Sequence, residues 1–266
     1  MSAGLIVTLD GLVHGVDEPL VRATDPVLTH GDGVFETTLV RDGRACLLSA
    51  HLSRLSVSAR IAGLPAVDTE LFRAAAATAV SRWTGDAVLR LVHGRGAAFA
   101  AVSPVPNRVA GARRDGVAAV TLEIGRRGAP AVLSGAKSLS YAHHSAALRE
   151  AAGRGAGDAI YVDADGLVLE GPRSSVVIAD GEILVSPPPT LPILAGTTVH
   201  ALFQVVPRSA YRPLRVSELF AAQGVWLLSA VTLAARVHTL DGVGLPPAPG
   251  AAQLAAWVDT AVDRDA

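Results

Sequence analysis

Residues 135–141 read Gly-Ala-Lys-Ser-Leu-Ser-Tyr and place Lys137 between small residues and a mixed apolar and polar stretch. The chain is very poor in lysine and carries almost all of its 23 basic charges as arginine. Arginine stays protonated and cannot form a Schiff base, whereas a lysine amine can. Lys137 is therefore a candidate catalytic residue, and the alternative is a surface lysine left over from the composition bias.

Three other segments carry side chains that suit a phosphorylated pyridine ring. Glu170 follows the apolar residues 167–169, where a carboxylate could keep a ring nitrogen protonated. Thr197 and Thr198 follow Gly196 at a predicted helix start, where free N–H groups and hydroxyls suit a phosphate. Arg54 lies one turn into another predicted helix and could clamp the same phosphate. The plainer alternatives are a solvated hairpin glutamate, an ordinary threonine cap and a solvated helix arginine.

Five sequence blocks, taken in chain order, resemble the class IV aminotransferase family. The similarity runs from about Asp25 to Asp241, which is nearly the whole chain. Each block is weak alone, but five blocks in the family's order and at family-like spacing are specific. The blocks are Gly31-Asp32-Gly33-Val34-Phe35-Glu36-Thr37, His51-Leu52-Ser53-Arg54-Leu55, Lys137-Ser138-Leu139-Ser140-Tyr141, Glu170-Gly171-Pro172-Arg173-Ser174-Ser175 and Leu194-Ala195-Gly196-Thr197-Thr198.

The resemblance implies an enzyme that depends on pyridoxal 5'-phosphate (PLP), with the cofactor between two α/β domains of a fold type IV homodimer. Lys137 would hold the cofactor as a Schiff base and then act as the acid and base at the substrate carbon. Glu170 would pair with the ring nitrogen, and Arg54 would bind the phosphate. The other cofactor-binding residues implied are Tyr141, Ser174, Ser175, Thr197, Thr198, Ser229 and Ala230.

The predicted substrate pocket is similar to that of the 4-amino-4-deoxychorismate lyases. Thr37 replaces the glycine of the branched-chain enzymes and is implied to assist proton transfer. Phe35, Arg95 and Ser229 are the implied substrate-binding residues, with Arg95 on the substrate carboxylate. Three positions depart from common family motifs, namely Leu39, Ser140 and Ser229.

The expected activity is the lyase reaction that releases pyruvate and yields p-aminobenzoate for folate biosynthesis. A class IV aminotransferase acting on D-amino acids or branched-chain amino acids would use the same catalytic residues, so the sequence leaves both open. A binding module that has lost the cofactor is a third alternative, and the presence of Lys137, Glu170 and Arg54 argues against it.

Hairpins and helices alternate along the chain, which predicts an α+β fold of the D-amino acid aminotransferase type. We expect an N-terminal α/β domain over residues 1–106, a linker over residues 107–116 and a C-terminal α/β domain over residues 117–266 that carries the lysine. Ser49 is the expected N-cap of one helix, and Asp68 or Thr69 that of the next.

Composition and missing motifs exclude several classes of function. The formal net charge is −1, with 23 basic and 24 acidic residues, which argues against a nucleic-acid partner. The single cysteine excludes an internal disulfide and fits a cytoplasmic protein. We find no Rossmann, Walker, nucleophile-elbow or zinc-binding motif, no signal peptide and no stretch of about 20 apolar residues that could cross a membrane. The sequence therefore predicts neither a metal site nor a membrane partner.

Overall fold

The computed structural model describes residues 4–124 and 133–263. The chain forms two compact units that differ from the domains expected from the sequence. The first unit comprises Met1–Pro106, Gly135–Tyr141 and Asp263–Ala266, and the second comprises Asn107–Ser134 and Ala142–Val262. The expected boundary at residue 106 agrees with this division. The assignment of the lysine segment to the C-terminal domain does not, because residues 135–141 pair with a strand of the first unit.

The first unit contains one antiparallel sheet and three helices. Its strands are β1 (Leu5–Thr8), β2 (Val13–Gly15), β3 (Gly33–Arg41), β4 (Arg44–Ala45), β5 (Ala87–Gly94) and β6 (Ala98–Pro104), and its helices are α1 (Pro26–Thr29), α2 (Leu48–Ile61) and α3 (Thr69–Ser81). The sheet order is β2-β1-β6-β5-β3-β4. Asp10 and Gly11 turn the β1–β2 hairpin, as the sequence predicts.

Helices α2 and α3 build the core of the first unit together with the sheet. Val34 and Val40 of β3 belong to this core with Leu52, Leu55 and Phe72. Side chains alternate between the two faces of a strand. The odd-numbered residues of β3, which include residues 35 and 37, therefore point away from the helices, and the even-numbered ones point towards them.

The second unit contains the remaining strands and helices. The strands are β7 (Val117–Glu123), β8 (Asp158–Val162), β9 (Ser175–Asp180), β10 (Ile183–Ser186), β11 (Ser209–Tyr211), β12 (Gly224–Ser229), β13 (Leu233–Leu240) and β14 (Val243–Gly244). The helices are α4 (Arg108–Asp115), α5 (Ala142–Gly153), α6 (Thr197–Phe203), α7 (Val216–Ala221) and α8 (Ala251–Asp263), whose last residue falls in the first unit.

The sheet of the second unit mixes parallel and antiparallel pairs. Its order is β11-β10-β9-β12-β13-β7-β8, with β14 beside β13. Strand β7 runs parallel to both β8 and β13. Branched side chains fill its core, among them Ile160, Val176, Ile178, Leu227 and Val237. The α+β class expected from the sequence is therefore confirmed.

Two local predictions are wrong. Residues 108–115 of the expected linker form helix α4, which packs on β13. Pro104 and Pro106 precede this helix and Gly116 ends it, whereas Gly111 lies within it. The N-cap of α2 is Leu47, in a left-handed conformation with φ 51° and without a side-chain cap, and not Ser49. The cap of α3 is Asp68, whose carboxylate accepts from the Glu70 and Leu71 N–H groups, as predicted.

Candidate active site

The backbone of Lys137 is fixed by hydrogen bonds on both sides. Its carbonyl accepts from the Phe35 N–H at 2.9 Å, and its own N–H donates to Ser58 Oγ at 3.1 Å. Two residues further, the Leu139 N–H donates to the Gly33 carbonyl at 2.8 Å. Residues 135–141 thus add a short extended segment beside the start of β3, although about 100 residues separate the two in sequence.

The Lys137 amine lies over an aromatic ring that a second cation also covers. Lys137 Nζ is 4.7 Å from the centroid of the Phe35 ring, and Arg90 Cζ is 4.0 Å from the same centroid. The Tyr141 ring meets Phe35 edge-on at 5.7 Å. Lys137 is the only lysine in the sequence. The structure therefore brings together three of the predicted site residues, namely Phe35, Lys137 and Tyr141.

Thr37 shares the strand face of Phe35 and pairs in register with Arg90 of β5. Sequence analysis did not single out Arg90. The signal was a charged residue in the middle of an otherwise apolar strand. Among the described residues, no carboxylate forms an ion pair with Arg90. A cation at this position can bind an anionic group of a substrate.

On the other face of β3, Glu36 lies in a buried network with Arg54 and His51. Glu36 accepts from Arg54 Nε and Nη2, both at 2.7 Å, and its Oε2 lies 2.6 Å from His51 Nδ1. Burial alone would raise the pKa of Glu36, but the charge and hydrogen bonds of Arg54, with those of His51, lower it to about 2. Burial lowers the pKa of His51, so this imidazole is neutral at pH 7.

Arg95, the predicted ligand of the substrate carboxylate, has contacts other than those of Arg90. It donates to the Gly63 carbonyl at 2.8 Å and lies 3.8 Å from the Asp32 carboxylate, with 56% of its side chain exposed. Neither contact involves the ring of Phe35. The role of Arg95 stays a prediction.

In the second unit, Glu170 is held at the end of its extended segment. Its Oε2 accepts from the Leu194 N–H at 3.1 Å, and its carbonyl accepts from the Tyr161 N–H at 2.7 Å. Glu170 also forms an isolated bridge with Ser175. The carboxylate is half-buried, so its orientation is set by the backbone around it and not by solvent.

The start of α6 approaches Ser175 closely and carries a buried hydroxyl without a partner. A Cβ atom added to Gly196 would lie 2.4 Å from Ser175 Oγ, so a larger residue here would require the Ser175 hydroxyl to move. Thr198 is 3% exposed, and its Oγ1 has no hydrogen-bond partner among the residues that the structure describes. An unsatisfied buried hydroxyl is costly. A ligand oxygen accepting from Thr198 would remove that cost, so this corner fits a phosphate.

A cavity of about 440 Å³ in the second unit is lined by two of the predicted cofactor-binding residues, Ser174 and Ser229. Ser174 Oγ is buried and has no hydrogen-bond partner within residues 4–124 and 133–263, whereas Ser229 Oγ accepts from the Thr232 N–H at 3.1 Å. Ala230 lies in the turn between these last two residues. The side chain of Arg113 supports that turn by donating to two of its carbonyls. The residues that line the cavity do not include Glu170, Thr197 or Thr198.

Metal and membrane features were searched in residues 4–124 and 133–263. That part of the chain contains no group of three or more His, Cys, Asp or Glu side chains arranged to hold a metal ion. None of its helices is both long and apolar enough to cross a bilayer.

The chain matches one known protein family over most of its length. Residues 33–240 match the family model described as amino-transferase class IV. This match covers more than half of the chain, so the chain belongs to the class IV aminotransferase family. The resemblance carried by the five sequence blocks is thereby confirmed.

Individual relatives are similar over their whole length. A bifunctional aminodeoxychorismate lyase / D-amino acid transaminase from Mycobacterium tuberculosis is 50% identical, and the alignment covers 98% of this chain and 100% of the relative. An aminotransferase structure from the same organism in a PLP-bound form is 51% identical, with a TM-score of 0.94 and coverage of 99% and 100%. A fold IV transaminase from Curtobacterium pusillum is 34% identical, with a TM-score of 0.91 and full coverage of both chains. Fold type IV is therefore confirmed.

The pH dependence of stability tests the buried network. The pKa of Glu36 is 4.5 when the side chain is unperturbed and about 2 in the folded protein. The unfolded chain therefore takes up the proton first, and the stability from this group is lost as the pH falls from about 4.5 to about 2. Glu36→Gln should lose about 3 kcal/mol at neutral pH, because a buried partner of Arg54 is gone.

The measurement is the free energy of unfolding in denaturant from about pH 7 to about pH 3. Glu36→Gln should show a shallower loss of stability on the acid side than the wild type. Glu150→Gln, which removes an exposed partner of Arg154, is the control and should follow the wild type. Parallel curves for Glu36→Gln and the wild type would contradict the assignment.

Proposed function

We propose that this chain is a PLP-dependent enzyme in which Lys137 holds the cofactor. The proposal rests on one observation: the only lysine of the chain is held by hydrogen bonds of its backbone, with its amine beside the Phe35 ring. When bound, PLP supplies an electron-withdrawing ring that stabilises negative charge on the substrate carbon next to nitrogen. The PLP-bound and PMP-bound forms of the Mycobacterium tuberculosis relative support this cofactor.

Residues of the first unit have three roles in this proposal. Lys137 takes the proton from the substrate carbon and returns it. Its amine can act as the base once the substrate has displaced it from the cofactor. Arg54 binds the phosphate through charge-assisted hydrogen bonds. Tyr141, whose ring contacts Phe35, orients the pyridine ring of the cofactor by binding the cofactor hydroxyl.

Residues of the second unit have two roles. Glu170 pairs with the ring nitrogen and keeps it protonated, because an ionised carboxylate favours the charged form of a neighbouring base. The phosphate and the ring are bound by hydroxyl and N–H groups of six further residues, namely Thr197, Thr198, Ser174, Ser175, Ser229 and Ala230. The buried hydroxyls of Ser174 and Thr198, which have no hydrogen-bond partner in the described part of the chain, support this assignment.

The proposed reaction is the release of pyruvate from 4-amino-4-deoxychorismate to give p-aminobenzoate. Lys137 removes the proton from the ring carbon that bears the amine, and the bond to the enolpyruvyl oxygen breaks as a proton is delivered to the leaving side chain. Thr37, on the strand face of Phe35, relays that proton in this proposal. The activity in the name of the 50% identical relative supports the reaction.

A D-amino acid transaminase activity of the same site is the second candidate. The name of the relative includes this activity, and one structure from Mycobacterium tuberculosis holds alpha-ketoglutarate with PMP. The catalytic residues are shared, and only the fate of the proton and the presence of a leaving group differ. We propose further that the protein acts as a homodimer in the cytoplasm. The single cysteine, which is buried, is compatible with that compartment.

Production of p-aminobenzoate from 4-amino-4-deoxychorismate, followed by fluorescence, tests the lyase activity. We expect product from the wild type and none above background from Lys137→Ala, because the variant lacks the base. No product from a wild-type protein that still develops a visible absorption band with PLP would overturn the lyase assignment. Transfer from D-alanine to alpha-ketoglutarate, measured in parallel, would then establish the second candidate.

Arg90 and Arg95 can be separated as ligands of the substrate carboxylate. We propose Arg90, because its guanidinium shares the Phe35 ring with Lys137. Loss of a charged hydrogen bond costs about 1.5–3 kcal/mol, so Arg90→Gln should raise KM for alpha-ketoglutarate roughly tenfold or more. Arg95→Gln is the matched control and should stay within about twofold of the wild-type KM. The reverse pattern would assign the carboxylate to Arg95.

A further inference from the structure

The chemistry proposed above makes no use of Glu36, although this acid is buried and bound by two basic residues. It is 1% exposed, and its two oxygens are taken up by Arg54 and His51. A buried carboxylate is expensive unless it is paired and hydrogen-bonded. We therefore ask how the pairing of Glu36 affects the position of the Arg54 guanidinium.

The geometry of the pair restricts the guanidinium of Arg54. Two parallel contacts of 2.7 Å, from Nε to Oε1 and from Nη2 to Oε2, form a bidentate pair that fixes the plane of the guanidinium as well as its position. A single contact would leave the group free to rotate. Arg54 has 12% of its side chain exposed and keeps one edge of the guanidinium, Nε and Nη2, against the acid.

Secondary structure brings the three side chains together. Positions 51 and 54 lie three residues apart on α2 and share a helix face. Glu36 is an even-numbered residue of β3 and so points to the face on which α2 packs. The His51 ring, which is fully buried, contacts Glu36 Oε2 at 2.6 Å and holds the carboxylate from the other side.

Charge alone does not explain why Glu36 is present. A carboxylate in contact with Arg54 offsets its positive charge and would weaken attraction to a phosphate. A fixed orientation acts in the opposite direction, because a ligand that binds a pre-organised group loses less conformational entropy. The bidentate contact therefore favours orientation as the function of Glu36.

We propose that Glu36 is a positioning residue that holds the Arg54 guanidinium in the orientation required by the cofactor phosphate, with His51 bracing the carboxylate. The inference rests on the proposed phosphate role of Arg54. It concerns affinity for the phosphate group and not the proton-transfer steps. Removing Glu36 should therefore weaken binding of a phosphorylated ligand and leave its unphosphorylated counterpart almost unaffected.

The test compares PLP with pyridoxal, which lacks the phosphate. Dissociation constants are measured from the visible absorption band that each ligand gives with the protein, since Lys137 is the only lysine side chain able to react. Four variants are compared with the wild type: Glu36→Gln, Arg54→Gln, the double variant Glu36→Gln/Arg54→Gln, and Glu218→Gln. The last breaks an acid–arginine pair with Arg212 in the second unit and is the matched control.

We expect Glu36→Gln to weaken PLP roughly tenfold and pyridoxal less than about twofold, with the double variant no weaker for PLP than Arg54→Gln. Glu218→Gln should bind both ligands as the wild type does. A merely structural role for Glu36 would weaken both ligands alike and would overturn the proposal. If Glu36→Gln does not fold, His51→Gln, which removes the brace from the same carboxylate, replaces it and should weaken PLP selectively.

Failure of the phosphate role of Arg54 and failure of the positioning role of Glu36 give different binding results. If Arg54→Gln leaves PLP affinity unchanged, the proposed phosphate role of Arg54 is wrong and the positioning role falls with it. If Arg54→Gln weakens PLP but Glu36→Gln binds PLP as tightly as the wild type, or more tightly, Arg54 keeps its role and the positioning by Glu36 is overturned. Tighter binding would mean that charge compensation outweighs orientation.

Discussion

The pairing of residues 135–141 with the start of β3 is the contact on which the site of the first unit depends. It places the one lysine of the chain beside Phe35 through backbone hydrogen bonds to β3, and the Lys137 N–H donates in addition to Ser58 Oγ. Gly135 makes this possible, because its φ of 80° lies in the left-handed region that favours glycine. A reactive side chain held through its own backbone can move its amine while its attachment point stays fixed, as a group that exchanges between cofactor and substrate must.

The two faces of strand β3 carry different arrangements of charged side chains. One face carries Phe35 and Thr37, where the cations of Lys137 and Arg90 approach an aromatic ring and no acid pairs with Arg90 in the described part of the chain. The other face carries Glu36, whose charge is balanced by Arg54. The first arrangement leaves positive charge for anionic substrates, and the second fixes a guanidinium. Because side chains alternate along a strand, a shift of register by one residue would exchange the two faces.

Local signals in the sequence predicted local structure well. The Asp10-Gly11 hairpin and the Asp68 cap were confirmed because each depends on residues that are neighbours in the chain. Helix α4 lies where a linker is expected, since glycines and nearby prolines locally favour a loop. Residues 135–141 belong to the first unit and not to the expected C-terminal domain, because their pairing with β3 is non-local. Arg90 and the network of Glu36 are also not predicted from the sequence, for the same reason. Each is marked in the sequence only by a charged residue within an apolar strand, and the residues that they contact lie far away in the chain.

The most direct test of the central claim is to reduce the protein with borohydride after addition of PLP and to locate the modification by peptide mass spectrometry. The account predicts one modified peptide, containing Lys137, with no modification in Lys137→Ala. Because the sequence offers no second lysine, the only competing amine is the chain terminus. Label on the terminal amine alone, or PLP that binds without any covalent attachment at Lys137, would contradict the account.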